Sequence, residues 1–248
     1  MFIDTHCHLS IEDYDDIDKV VKEDIEAGVK KLIVSACTKN TFEEALALAK
    51  KYDSIYVTLG FHPSEVDTTD ADLELLEELL KTDKVVGVGE IGLDYHYGKD
   101  DIDMQKELFE KQLVIAEKLN LPVVIHSRDA VNDTIETLKK HNVKGVIHCF
   151  SGSVETADIY IRLGYKLGIG GVVTFKNSNL YKVVEHVGLD NIVLETDSPY
   201  LAPEPFRGKQ NSSKYIPVIA TKIADILNVS LSEVEDKTTM TASNLFDL

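Results

Sequence analysis

The chain has 248 residues, 44% hydrophobic and 28% charged, with a formal net charge of −17. That length is ample for one core and is the usual size of a (β/α)₈ barrel. The acidity argues against a protein that coats duplex nucleic acid through a broad basic surface. It leaves room for an enzyme that handles one phosphodiester at a metal centre, where bound cations reverse the local field.

No apolar run reaches membrane-spanning length, and the N-terminus has no basic region followed by an apolar segment. Neither a signal peptide nor a membrane partner is therefore expected. Cys7, Cys37 and Cys149 fall on predicted strands with no C-x-x-C pattern. They read as small, reduced, core or near-core residues of a cytoplasmic protein.

The first predicted strand, Phe2–Leu9, carries His6 and His8. Side chains two apart on a strand share a face, so both imidazoles leave in one direction while Cys7 points the other way. Two converging neutral imidazoles are a metal-ligand arrangement. A strand Lys31–Cys37 follows, then Thr41 with Glu44 in the pattern of a capping box that opens a helix. The third strand, Ile55–Phe61, runs into His62, and the fourth, Val85–Ile91, carries Glu90. In the long helix after it, Met104, Leu108, Ile115 and Leu119 mark one face at helical spacing. The fifth strand, Pro122–Ser127, ends on His126 and is followed by Arg128. The sixth, Gly145–Phe150, carries His148; the seventh is Tyr165–Val173; the eighth, Asn191–Thr196, is followed by Asp197 and, further on, Arg207. Ser230 with Glu233 reads as a second capping box.

Most of these strands are nearly continuous apolar runs, as parallel strands covered on both sides should be. Eight of them, separated by single helices, imply right-handed βαβ units closed into an α/β barrel, the TIM-barrel architecture, with residues 1–248 as one domain. No Gly-rich fingerprint follows the first strand, which weighs against a dinucleotide-binding sheet. The strand ends of such a barrel meet at one face. There His6, His8, His62, Glu90, His126, His148 and Asp197 would gather, and burying so many ionisable groups without a cation would be costly. His96, His141 and His186 lie outside this set and read as exposed or solvated. Only Arg128, Arg162 and Arg207 interrupt a lysine-based positive complement. Arg128 and Arg207, each after a strand, are candidates to grip phosphate, or to pair with one of the many carboxylates.

Seven ordered motifs carry a resemblance. They are Phe2-Ile3-Asp4-Thr5-His6-Cys7-His8-Leu9, Gly60-Phe61-His62-Pro63, Gly89-Glu90-Ile91-Gly92-Leu93-Asp94-Tyr95, His126-Ser127-Arg128, His148-Cys149-Phe150-Ser151-Gly152, Glu195-Thr196-Asp197-Ser198-Pro199-Tyr200-Leu201-Ala202-Pro203 and Arg207-Gly208-Lys209-Gln210-Asn211. In this order and spacing the chain resembles the TatD family of metal-dependent hydrolases, within the amidohydrolase superfamily, and Asn244-Leu245-Phe246 is similar to the family's C-terminus. Asn211-Ser212-Ser213 departs from the Asn-Glu-Pro of many members and leaves the role of that loop open.

The resemblance implies two divalent cations (Mg²⁺, Mn²⁺ or Zn²⁺), with His6, His8 and Asp197 holding one, His126 and His148 the other, and Glu90 bridging. A bridging carboxylate reduces repulsion between the cations, whose joint charge acidifies a shared water for attack on phosphorus. Asp197 is either general base or ligand alone; His62 is a substrate contact, a leaving-group acid or a structural residue. Family members are described as deoxyribonucleases, often trimming the 3′ end of single-stranded DNA, so DNA ends or single strands are the implied substrate, and no obligate protein partner is evident. The same frame also serves hydrolysis at carbonyl carbon, as in a D-aminoacyl-tRNA deacylase. A non-catalytic metal-binding scaffold is the remaining alternative.

Overall fold

Residues 1–96, 98 and 100–248 are described by the structure, a computed structural model. The chain alternates β1 (Phe2–Cys7), α1 (Ile17–Glu26), β2 (Val29–Ala36), α2 (Lys39–Lys51), β3 (Ile55–Leu59), α3 (Asp70–Leu79), β4 (Val85–Asp94) and α4 (Ile102–Leu119). It continues through β5 (Val123–Arg128), α5 (Val131–Leu138), β6 (Gly145–Ile147), α6 (Val154–Arg162), β7 (Tyr165–Ile169), α7 (Leu180–Val187) and β8 (Ile192–Leu194), and closes with α8 (Ile216–Leu227) and α9 (Leu231–Phe246). The strands pair in parallel in the order β1 to β8, so each connection is a crossover and the sheet curls into a TIM barrel. Between β8 and β1 the seam is joined by irregular bonds rather than a ladder: Asp197 N to His6 O (3.0 Å), His8 N to Ser198 O (2.7 Å) and Thr5 Oγ1 to Leu194 O (3.0 Å). No helix of the described residues is long and apolar enough to cross a membrane.

Several elements differ from the sequence expectation, and each difference has a cause. Strands expected at Phe2–Leu9, Gly145–Phe150, Tyr165–Val173 and Asn191–Thr196 stop at Cys7, Ile147, Ile169 and Leu194. Their last residues leave the ladder to turn at the barrel mouth; Cys149 and Asp197 do so with φ of 46° and 54°, and Gly171–Thr174 winds into a 3₁₀ turn. β4 instead runs on to Asp94. The α2 box is formed by Thr38 and Thr41, not Thr41 and Glu44; Glu44 accepts from Ile11 N (2.8 Å). Of the box expected at α9 the Ser230 half is present, its side chain accepting from Glu233 N (3.1 Å).

On α4 three of the four expected inner positions, Leu108, Ile115 and Leu119, pack on the core, and the fourth does not. Met104 is exposed, while Gln105 and Gln112 are buried with Leu108 and Ile115. Both glutamines use their amides to saturate backbone that has no ladder partner. Gln112 Oε1 accepts from Phe61 N (2.7 Å) and its Nε2 donates to Phe61 O (2.9 Å). Gln105 does the same at Asp94, with 2.9 Å for each bond. A buried peptide group must be paired, so these amides fix where the ends of the third and fourth strands stand. His141 also differs: it lies beyond α5, largely covered, with Nδ1 3.2 Å from Glu117 Oε2.

One extra residue sits on β1 between Asp4 and Cys7 and another on β4 between Val88 and Ile91, relative to their partner strands. Such bulges re-aim side chains, and they fall on His6 and Glu90. Gly92, at φ 144°, lies opposite His126 in the ladder, where any Cβ would collide with the His126 carbonyl. Glycine is required there for β5 to approach β4.

The opposite end of the barrel is closed by α9. Ile3, Ile33, Val124, Val146 and Val193, from five strands, cluster with Ala242 and Phe246. This gives the C-terminal Asn244-Leu245-Phe246 segment its physical role: Phe246, 2% exposed, is the plug. At the mouth, Asn211 clasps the loop after β8, its Nδ2 donating to Thr196 O (2.8 Å) and Tyr200 O (2.6 Å). The neighbouring Ser212 Oγ donates to buried Asp24 on α1 (2.8 Å), which also accepts from Lys214 N (2.7 Å). Ser212 and the Lys214 backbone thus tie this loop to α1.

Truncating the plug, Phe246→Ala, should cost about 3–5 kcal/mol in chemical denaturation, and Phe246→Leu below about 1.5 kcal/mol. An alanine variant as stable as the parent would show that α9 does not close the core. Asp24 gives a pH signature. Burial pushes its carboxyl up to about 6, and its Oδ2 has no hydrogen-bond partner. A carboxyl raised by folding costs nothing below its unfolded value near 4 and its full penalty above 6. Asp24→Asn keeps both bonds to Oδ1, so it should gain on the parent by up to about 3 kcal/mol as pH rises from 4 to 7. A difference that does not vary with pH would refute that assignment.

Candidate active site

Glu90 stands at the centre of the barrel mouth, 4% exposed, and its two oxygens face two different groups. Oε2 is 3.5 Å from His6 Nε2 and 3.8 Å from His8 Nε2; both imidazoles also face Asp197 Oδ1, at 3.4 and 3.6 Å. Oε1 is 2.7 Å from both His126 Nδ1 and His148 Nε2, and these two nitrogens are 3.2 Å apart. The six residues read from the strand ends as metal ligands are thus within one cluster. The sets His6–His8–Glu90, His6–His148–Asp197 and Glu90–His126–His148 each present ligand atoms within 4.8 Å of one another.

The far nitrogens of three imidazoles are anchored, which decides the atom each presents. His8 Nδ1 donates to Ser35 O (3.1 Å), leaving the Nε2 lone pair inward. His6 Nδ1 meets Ser35 Oγ (3.1 Å), itself 2.8 Å from Thr58 Oγ1. His126 Nε2 donates to Asp94 Oδ2 (3.1 Å), leaving Nδ1 toward Glu90. A ligating histidine is held in this way by a carbonyl or carboxylate on its other nitrogen. His6 Nε2 is buried with no hydrogen-bond partner although it points between two carboxylates. Such an orphaned lone pair within a nitrogen and oxygen donor set fits a divalent cation.

The field in the cluster is strongly negative. Burial alone would raise the Glu90 and Asp197 carboxyls, but the surrounding imidazoles overcome it and hold both below the usual range. Burial would lower His126, yet Asp94 and Glu90 bring it up to about 9, and Glu90 likewise raises His148. His6, fully buried and beside His148, falls to about 4. Behind the cluster, burial raises Asp4 to about 7 and Glu195 to about 8. Asp4 accepts from Thr196 Oγ1 (2.6 Å) and braces the β1–β8 seam. Glu195 Oε1 accepts from Cys149 N (2.5 Å) and stands 4.0 Å from His148 Nδ1. A side chain at Gly168 would collide with the Glu195 carboxylate.

Asp197 adopts its left-handed φ of 54°, a region in which Asp is tolerated better than most residues. With its N–H bonded to His6 O, the side chain is turned back over the imidazoles of β1.

The remaining expected site residues separate. His62 follows β3; its Nδ1 accepts from Ser64 N (3.1 Å), so the proton is on Nε2, which is 4.0 Å from Glu90 Oε1. Burial lowers it to about 4, so the ring is neutral at pH 7. Arg128 closes β5, is exposed, and lines the same cavity of about 1080 Å³. Arg207 lies instead over the Phe175 ring, 4.5 Å from its centroid, outside the cavity lining. His96 and His186 are exposed and pair with Asp129 (3.1 Å) and Asp158 (2.9 Å).

Sequence reasoning missed Asp94, Ser35 and Glu195, and Cys37, whose Sγ is 3.5 Å from Glu90 Oε2. Only Asp94 left a signal. It sits four residues after Glu90, and a fourth strand drawn to Asp94 rather than Ile91 would have placed it at the mouth.

A model of the TatD related DNase family matches residues 3–247. The chain is 40% identical over 252 residues to YabD of Bacillus subtilis, described as an uncharacterized metal-dependent hydrolase, covering 99% of each. Among solved structures it is similar to YjjV, a TatD homologue from Escherichia coli K12, with TM-score 0.92, 33% identity, and 100% and 98% of the two chains covered. A TatD family hydrolase from Entamoeba histolytica gives TM-score 0.88 at 25% identity over 99% and 97%. With the family pattern spanning nearly its whole length and the candidate ligand residues gathered at the barrel mouth, the chain belongs to the TatD family of metal-dependent hydrolases.

Proposed function

We propose that the protein is a metal-dependent deoxyribonuclease that trims nucleotides from the 3′ end of single-stranded DNA. The observation that carries the reading is the division of Glu90, one oxygen toward His6 and His8 and the other toward His126 and His148. In this reading His6, His8 and Asp197 would hold one divalent cation and His126 and His148 a second, with Glu90 available to both. When bound, the cations supply Lewis-acid charge that acidifies a water and stabilises the oxygens of phosphorus as they gain charge.

The chain's own groups do the rest. Asp197, held ionised by the imidazoles of His6 and His8, takes the proton of the attacking water. His62 is neutral and carries its proton on Nε2, so it donates a hydrogen bond to a phosphate or leaving-group oxygen. Arg128 offers its two-pronged guanidinium to the next phosphate. A surface with net charge −17 suits an enzyme that holds a strand by its end through few phosphate contacts.

The test is digestion of labelled single-stranded DNA with Mg²⁺ or Mn²⁺, with and without chelator, with product ends mapped and deacylation of D-aminoacyl-tRNA run in parallel. Release of mononucleotides from 3′ ends, lost with chelator, is expected; deacylation with intact DNA would replace this reading by the carbonyl one. Elemental analysis of purified protein should find a transition metal, since imidazole ligands favour Zn²⁺ or Mn²⁺ over Mg²⁺. Asp197→Asn should keep the fold and cut trimming by at least ~10²-fold, and Glu90→Gln should lower metal content, one neutral amide being unable to offset two cations. Parent-like trimming by folded Asp197→Asn would remove both of its assigned roles.

A further inference from the structure

The cavity has unequal flanks. Tyr200 stands at its rim, three residues after Asp197, with its ring centroid 6.3 Å from that of His8. Its backbone is clamped: the N–H donates to Asp197 O (2.9 Å), and the carbonyl accepts from Asn211 Nδ2 (2.6 Å). Asn211 is itself fully buried and bonded through its carbonyl to Tyr14 OH (2.9 Å). Yet the Tyr200 residue is 59% exposed, and Leu201 beside it 38%. A broad aromatic side chain presented to water on a rigid backbone, at the mouth of a polar site, is an unfilled apolar contact.

Charge says what would fill it. The cavity lining includes Glu12, Asp13 and Glu44, from the segment after β1 and from α2; that segment is joined to the Tyr200 loop where Gln210 Nε2 donates to Asp13 O and Tyr14 OH to Asn211 O. Among the described lining residues the one Arg or Lys is Arg128, carried by β5. A phosphate lying across Tyr200, outward of the candidate metal ligands, would meet these carboxylates with no lysine or arginine of the lining to offset them other than Arg128, whereas a flat neutral ring would lose little to them. A nucleobase has such a face, and base stacking on an aromatic side chain contributes about 1–3 kcal/mol.

We propose that Tyr200, backed by Leu201, is the stacking platform for the terminal nucleobase of the strand. The assignment rests on the phosphodiester reading and deepens it, because it gives the terminal nucleoside a seat and sends the rest of the strand toward Arg128.

The test separates base from phosphate by calorimetry on Mn²⁺-loaded protein, with thymidine 5′-monophosphate and deoxyribose 5-phosphate as ligands. The parent should prefer the nucleotide by about 10- to 100-fold. Tyr200→Phe should keep that preference, Tyr200→Leu should lose most of it, and Tyr200→Ala should bring the two ligands within about twofold. Circular dichroism and metal content should match the parent in all three variants. A preference retained by Tyr200→Ala, or lost as fully in Tyr200→Phe, would overturn the platform, the second case assigning the effect to the hydroxyl. DNA trimming is measured apart from binding. A protein that selects the base through Tyr200 but trims no DNA keeps the platform and loses the nuclease reading.

Discussion

Glu90 has to be both buried and ionised, and much of the molecule is arranged around that demand. Moving a carboxylate out of water costs several kcal/mol unless positive charge and hydrogen-bond donors compensate. The barrel meets the cost with four imidazoles at its mouth, which hold the Glu90 carboxyl low against burial. The cluster has a nitrogen and oxygen donor set that fits a divalent cation. Its negative field pulls His126 and His148 upward and leaves a lone pair of His6 pointing at nothing but carboxylates.

The supporting structure is distributed so that no single loop holds the site. Bulges on β1 and β4 bring His6 and Glu90 inward; Ser35 on β2 steadies two imidazoles at once; Asp94 fixes a third. The seam between β8 and β1 has irregular bonds where a ladder would be, and the same backbone turn presents Asp197. The departure from ladder geometry and the placing of the Asp197 carboxylate against His6 and His8 are one feature. Strain at such a site persists because its neighbours over-determine it.

The barrel and the gathering of its candidate ligand residues at one mouth are legible because both leave strong local marks. Parallel strands buried on both faces read as apolar runs, and a histidine or carboxylate ending such a run stands out against it. What failed to show was whatever depends on three-dimensional context. Gln105 and Gln112 look like surface residues of an amphipathic helix, since hydrophobic periodicity is blind to an amide that pairs with backbone. Ser35 and Glu195 lie inside or beside strands and carry no pattern of their own. Arg207 was placed by its order in the chain, and its guanidinium lies over Phe175 instead. Strand ends were drawn too long where the backbone turns at the mouth, because the turn is imposed by the seam and not by local propensity.

The two glutamines of α4 are seven residues apart, about two helical turns, and each grips the backbone at the end of a different strand. That makes the helix a ruler. Its pitch sets the distance between the end of the third strand, next to His62, and the end of the fourth, where Asp94 steadies His126. A residue inserted or deleted between Gln105 and Gln112 would rotate one amide by about 100° and shift it about 1.5 Å, leaving one strand end without its grip. Length variation among descendants of this chain should therefore be excluded from that stretch of an outer helix, although none of its residues lines the cavity. The spacing of two uncharged side chains on the outside of the barrel is in this sense inherited as part of its interior.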